Sequence, residues 1–463
     1  MHLVNLTTAG LKRIVGISFA LFIYSISSAQ DNSPYSRYGL GDVVPNQNII
    51  SRGMGGIAAG YSNFLNINFK NPASLGSIST SKNVSNTIFD VGGEIDVRTL
   101  KSTGIASKYT STNTIISYLQ VAFPISTAKM EKKGTTWGLS FGLRPITRIG
   151  YKVEKNERLP GIDSLSTLYD GTGGINQVNV STGFKITTSR RIPENPGSLS
   201  IGFSSGYTFG SREYSTQKVF INDTVTYYKS NTQTQSNFGG IFLNTGIQYL
   251  FPINKTAYVK IGGYANLRQN LKARQDNVNE TFVFDGNGGI VAIDTVNATK
   301  EIAGTVKLPA SYGVGLTYQD NNNHWLLGAD FEFSNWSKYR YYGERDVVRD
   351  NWTLRVGAEY YPAKNNTTAK KYWSFVKYRA GFYYGPDYVK LDKTRSNYAA
   401  TLGASLPLTT ANLLRYGDFV MLNTAIEVGS RGNKQSAAFR ENNFRLSIGI
   451  SMNARWFQKR SYQ

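Results

Sequence analysis

From Phe444 to Phe457 the chain alternates almost without a break. Phe444, Leu446, Ile448, Ile450, Met452, Ala454 and Trp456 fall on one side, and Arg445, Ser447, Gly449, Ser451, Asn453 and Arg455 on the other. Period-two alternation of this length predicts a strand with one apolar and one polar face, and roughly ten tilted residues suffice to cross a bilayer. The pattern recurs. Trp137, Leu139, Phe141 and Leu143 alternate with Gly138, Ser140, Gly142 and Arg144, and Tyr312, Val314, Leu316 and Tyr318 with Gly313, Gly315 and Thr317. Leu327, Ala329, Phe331 and Phe333 alternate with Gly328, Asp330, Glu332 and Ser334, and Trp352, Leu354, Val356, Ala358 and Tyr360 with Thr353, Arg355, Gly357 and Glu359. A soluble sandwich also uses half-buried strands, so strand number and connection length must decide.

Alternating stretches begin near Val84, Thr114, Thr136, Ile175, Gly197, Ser236, Ala257, Ala303, His324, Asn351, Trp373, Asn397, Phe419 and Phe444. The predicted fold class is therefore all-β: a transmembrane β-barrel of about 14 antiparallel strands over residues 83–457, an even number as single-chain bacterial barrels require. Odd-numbered connections are mostly long (155–174, 215–235, 275–302 and 431–442), and even-numbered ones such as 254–256 and 320–323 are shorter. Pro124, Pro252, Pro362 and Pro407 all close even-numbered strands, where a residue without an N–H can end the ladder. Long loops belong outside and short turns on the periplasmic side, so the odd connections face out. Pro145 interrupts the third strand and predicts a bulge or kink in the wall there.

Composition narrows the class. The chain has 463 residues with 46 Gly, 30 Tyr and 24 Phe, and its mean hydropathy is -0.31. Beyond the first 29 residues no run of about 18 apolar residues exists, so a helical membrane protein is not expected. Lys12 and Arg13 precede the apolar run 14–26 and the small residues Ser27-Ser28-Ala29, which predicts an export signal over residues 1–29 with cleavage before Gln30. The expected location is the outer membrane of a Gram-negative bacterium. The net charge of +21 would suggest nucleic acid in a cytosolic protein. In an exported one, scattered basic residues fit outer-membrane lipids and lipopolysaccharide phosphates, and no nucleic-acid partner is expected. Residues 458–463 are expected to form a short basic periplasmic tail.

Residues 30–82 lack the alternation and are rich in glycine and alanine, as in Arg52-Gly53-Met54-Gly55-Gly56 and Asn71-Pro72-Ala73. Backbone with few side chains packs closely in a confined space, so this segment is expected to sit in the lumen as a hatch, with Gly53, Gly55, Gly56, Asn71, Pro72 and Ala73 as its packing points. The Met-Gly-Gly run followed by Asn71-Pro72-Ala73, the segment Leu308 to Gly315, the strand Trp325 to Trp336 and Leu354 to Tyr360 together resemble the FadL/TodX family. The opening Ser33 to Asp42 and the ending Arg455-Trp456-Phe457 are similar to its Bacteroidota branch, which includes PorV-like relatives. The resemblance implies a passive channel or transporter for hydrophobic small molecules such as fatty acids, entered beside the third-strand kink at Pro145. The polar long loops depart from the family's apolar collecting loops. They support, beside that reading, the alternative of a structural or accessory subunit of an outer-membrane protein assembly or secretion complex with protein partners.

Chemistry for catalysis is missing from the inventory. The chain has two histidines, and His2 falls in the leader, which leaves His324 in a predicted periplasmic turn. An outer-membrane hydrolase needs a histidine beside an activated serine at the outer face, so no catalytic residue is expected. No His, Cys and carboxylate cluster has ligand spacing, and the chain has no cysteine, so neither a metal site nor a cofactor is expected. The remaining constellation is charged. Arg144, Asp330, Glu332, Arg355, Glu359, Arg379, Glu427 and Arg445 all fall on the inward parity of their strands and are expected to pair in the lumen.

Overall fold

The structure is a computed structural model. It describes residues 33–63, 66–78, 86–102, 105–161, 163–221, 225, 227–285, 289–320, 324–363, 371–391, 395–409, 419–433 and 440–455. The expected export signal, the basic tail and the Trp456–Phe457 pair lie outside the described residues.

Among the described residues eighteen strands, including the short β1 (Asp42–Val43) and β13 (Arg340–Tyr341), form one continuous antiparallel sheet. Fourteen of them make the wall: β2 (Asn86–Ser102), β3 (Ile105–Pro124), β4 (Thr135–Arg158), β5 (Ser164–Ser189), β6 (Gly197–Ile221), β7 (Lys229–Pro252), β8 (Ala257–Asn266), β11 (Ser311–Asp320), β12 (Trp325–Ser334), β14 (Asn351–Tyr360), β15 (Lys377–Pro386), β16 (Ser396–Pro407), β17 (Val420–Gly432) and β18 (Arg440–Arg455). The wall closes where β18 pairs with β2, from Arg440 opposite Lys101 to Arg455 opposite Asn86. Closure removes the free edges that would otherwise leave backbone groups unsatisfied in lipid.

Side-chain placement is inverted relative to a soluble domain. Phe141, Phe203, Leu243, Val314, Leu327, Leu354, Leu402, Val428 and Ile448 are exposed, whereas Gln120, Asn179, Ser204, Gln248, Arg379, Asn423 and Ser451 are buried. Apolar side chains face outward around the circumference and polar ones face inward, as a lipid solvent demands. No described helix is long and apolar enough to cross a membrane.

Pro124, Pro252 and Pro407 are the last residues of β3, β7 and β16, and Pro362 follows β14, all at the same end of the barrel. Two expectations need correction. The stretches 155–174, 215–235 and 275–302 are not long loops: β4, β5, β6 and β7 run on for 24 to 26 residues, well beyond the 10 residues of β8 or β11. Outside lipid both faces of a strand can be polar, so the alternation fades while the ladder continues. The stretch beginning at Ala303 is likewise not one strand. Residues up to Leu308 end β10 (Ile290–Leu308), which hairpins with β9 (Gln269–Phe284) on the outer extension of β7, and the wall resumes at Ser311. β8 pairs directly with β11, so this hairpin is an excursion from the wall.

Candidate functional site

Residues 33–63 and 66–78 lie against the inward faces of the wall strands. The chain descends from Ser33, whose Oγ donates to Glu441 at 2.8 Å near the outer end of β18, to Leu75 and Ile78, packed with Ile88 and Ala122 near the inner ends of β2 and β3. Small residues make this fit. Gly55 and Gly56 adopt φ of 67° and 87°, and a Cβ on Gly55 would lie 2.6 Å from the Val356 carbonyl oxygen. Gly53 lies against Gly403. Asn71 accepts from Ala73 N at 3.1 Å, capping the 3-10 turn Pro72–Ser77, while its Nδ2 donates to Ala59 O at 2.7 Å. Pro72 and Ala73 rest on Gly202, where a Cβ would come within 2.2 Å of the Pro72 carbonyl carbon.

The eight sequence-derived charges are all inward, and most are tied together. Arg445 contacts Glu427 at 2.7 Å and Asp96 at 3.3 Å, Arg379 contacts Glu359 at 2.7 Å, and Arg355 contacts Glu332 at 3.4 Å. Four of them hold the N-terminal segment. Arg355 donates to Gly55 O, Glu332 pairs with Lys70 at 2.6 Å, and Asp330 Oδ2 accepts the N–H groups of Ala58 and Ala59 at 2.6 and 2.7 Å. Arg144 donates to Gln177 at 2.8 Å and Asn46 at 2.5 Å, with its guanidinium over the Phe69 ring.

Two clusters escaped the sequence reading. In the first, Arg52 of the N-terminal segment pairs with buried Glu94 of β2, which also meets Arg148 at 3.1 Å. In the second, at the outer mouth, Asp42 is gripped by Arg431 and Arg98, each at 2.6 Å, and Arg431 and Arg395 share Asp387 at 2.9 and 3.1 Å. Arg395 also lies 3.5 Å from the Tyr35 ring centroid. Burial alone would lift the Asp42 carboxyl; Arg431 and Arg98 outweigh that effect and hold it well below the usual carboxylate range. Beside it, Tyr35 and Leu40 pack with Trp336, Tyr339, Tyr388 and Val389 of the outer connections. The shared parity of Glu94, Asp96 and Arg98 along β2 was the one available signal.

Beneath that mouth lies a cavity of about 280 Å³, and twelve of its lining residues are Asp, Glu, Lys or Arg, among them Asp42, Arg144, Glu332, Arg355 and Arg445. One wall of this cavity is discontinuous. β3 and β4 pair only from Pro124–Gly138 to Leu119–Leu143, and Ile146 is an extra residue between Pro145 and Thr147 in the ladder to β5. Above that point β4 bonds instead to β1 (Asp42–Val43) of the N-terminal segment, with Asp42 opposite Arg148. Among the described residues no group of His, Cys and carboxylates could hold a metal ion. His324 occupies the inner turn between β11 and β12 with φ 62°.

A family model described as BamG matches residues 11–463. No match is found among curated proteins. Among solved structures, the Pseudomonas putida toluene transporter TodX is similar, at 14% identity and TM-score 0.52, covering 90% of this chain and 100% of that one. A Pseudomonas aeruginosa FadL homologue gives 13%, 0.51, 90% and 100%, and the Ralstonia pickettii toluene transporter TbuX gives 15%, 0.50, 88% and 97%. At such identities the likeness is one of fold: a FadL-like barrel.

Proposed function

The chain belongs to the BamG family, and from that membership and the N-terminal segment tied across the lumen we propose that it is a non-catalytic outer-membrane barrel serving as an accessory subunit of an outer-membrane protein-assembly complex. The family's name fits such a role. The observation that carries the proposal is the joining of residues 33–78 to the wall by buried ion pairs at two levels, Arg52–Glu94 below and Asp42–Arg431 above. On this reading residues 30–82 act as a closed hatch. A hydrophobic solute crossing the cavity would strip water from charged side chains without replacing their interactions, an unfavourable exchange. The exposed apolar band is taken up by outer-membrane lipids, and basic residues at its edges by lipopolysaccharide phosphates.

One observation favours a second reading, a passive channel for hydrophobic small molecules such as fatty acids. β3 and β4 part beside Pro145, and only β1 stands against β4 there. Moving β1 would join lumen to lipid at that point, and the barrel shares its fold with TodX and TbuX, described as toluene transporters.

Purification of the tagged chain from native membranes in gentle detergent, with quantitative mass spectrometry, tests the first reading. Other outer-membrane assembly proteins should accompany it at constant stoichiometry. Recovery of the chain alone would reject the subunit role.

A further inference from the structure

The tip of the β9–β10 hairpin carries apolar side chains where no lipid can reach them. The outward apolar band of β7 ends near Ile241, and the ladder from Gly239 to Lys229, which pairs with β9, continues for ten residues, about 33 Å along the strand. At its far end Tyr228 is 76% exposed, and Val283, Val291, Ile293 and Val296 are exposed as well, Val296 at 71%. Val283 and Val291 are direct cross-strand partners. Apolar groups gathered this far from the bilayer mark a contact surface.

The register says how the surface is read. Ile293 and Val296 are both extra residues in the β10 ladder, without an opposite residue on β9. Bulges in an edge strand blunt indiscriminate strand pairing. Here they spoil the edge as a template yet leave β-branched side chains bare, so recognition runs through side chains.

Charge identifies the occupant. Asp276, Glu280, Asp285, Asp294 and Glu301 stand here against Lys300, Arg274, which pairs with Glu301, and Lys229, which lies over the Phe284 ring, a net of -2 in a chain of +21. Two copies meeting through this tip would bring like charges together, which disfavours self-association. We propose that the β9–β10 tip is the docking site for a protein on the cell-surface side whose contact face is apolar and flanked by basic residues. The proposal rests on the subunit reading and adds the place and chemistry of one contact.

The test is native purification of the tagged chain and of its Val291→Asp/Val296→Asp variant, with the heat-dependent gel shift of the folded barrel as the folding control. Loss of one stoichiometric protein by about tenfold in the variant, with an unchanged gel shift and with retention in the wild type falling as ionic strength rises, is expected. Because the chain has no native cysteine, Thr295→Cys supplies a unique crosslinking point that leaves the patch itself intact, and it should capture the same protein. Partners retained by the double variant, or an empty crosslink at position 295, would overturn the docking site while leaving the subunit reading standing. A wild-type dimer dispersed by the double variant would make the occupant a second copy and overturn the proposal. A wild-type chain recovered alone and monomeric would end the subunit reading itself.

Discussion

Replacing Glu94 by Gln should loosen the N-terminal segment from the wall while the barrel stays closed. Glu94 is 1% exposed and is the carboxylate partner of Arg52. With the charge gone, Arg52 keeps only neutral acceptors, among them the Gln47 and Pro45 carbonyls and the Ser117 and Ser447 hydroxyls. Leaving one buried charge without its partner costs about 3–5 kcal/mol. At 1.4 kcal/mol per factor of ten, the opening equilibrium of the segment should rise on the order of a hundred- to a few-thousand-fold. Hydrogen exchange on peptides spanning residues 47–58 reads this directly, with peptides from β11, β12 and β14 as internal reference. Glu157→Gln, which removes an exposed pair with Lys155, should change nothing. Exchange in the Glu94→Gln variant within about threefold of wild type would refute the argument that buried charge holds the segment in place.

Gly381→Ala would set a Cβ 2.1 Å from Gly55 N, so it should displace the segment there and raise protease sensitivity around residue 55; Gly263→Ala, whose nearest neighbour is at 3.5 Å, should be tolerated. Folding lowers the Asp42 pKa, so its stabilising contribution is present at neutral pH and fades only as pH falls below the ordinary value of 3.8. Exchange in peptides covering residues 35–45 should accordingly be flat, after correction for intrinsic rate, from neutral pH to about 5 and rise only in stronger acid. Replacing residues 277–300 by a two-residue turn should leave the heat-dependent gel shift intact, because β8 pairs with β11 without help from the hairpin. Loss of the shift would mean the hairpin supports the wall.

The wall was legible in the sequence because lipid forces a strict alternation: Leu327, Phe331, Leu354 and Ile448 could be placed outward from parity alone, and the structure exposes each of them. Parity also placed Asp330, Glu332, Arg355 and Arg445 inward. The outer halves of β5, β6 and β7 were illegible for the converse reason. Residues such as Asp170, Glu213 and Gln233 meet water on either face, and nothing in their order separates a ladder from a loop. The ion pairs across the lumen were beyond reach for a different reason. Asp42 and Arg431 stand 389 residues apart, and their meeting depends on how a segment of short, isolated elements is threaded past fourteen strands. Asn71-Pro72-Ala73 was visible because its order is a local cap and turn, complete within a few residues.

Depletion of the chain in growing cells, followed by parallel measurement of folded outer-membrane barrel proteins and of uptake of fatty acids and monoaromatic hydrocarbons, tests the assembly role most directly. The folded complement of other barrels should fall while uptake per remaining channel holds steady. Unchanged barrel assembly together with a collapse of hydrophobic uptake would contradict the assembly role.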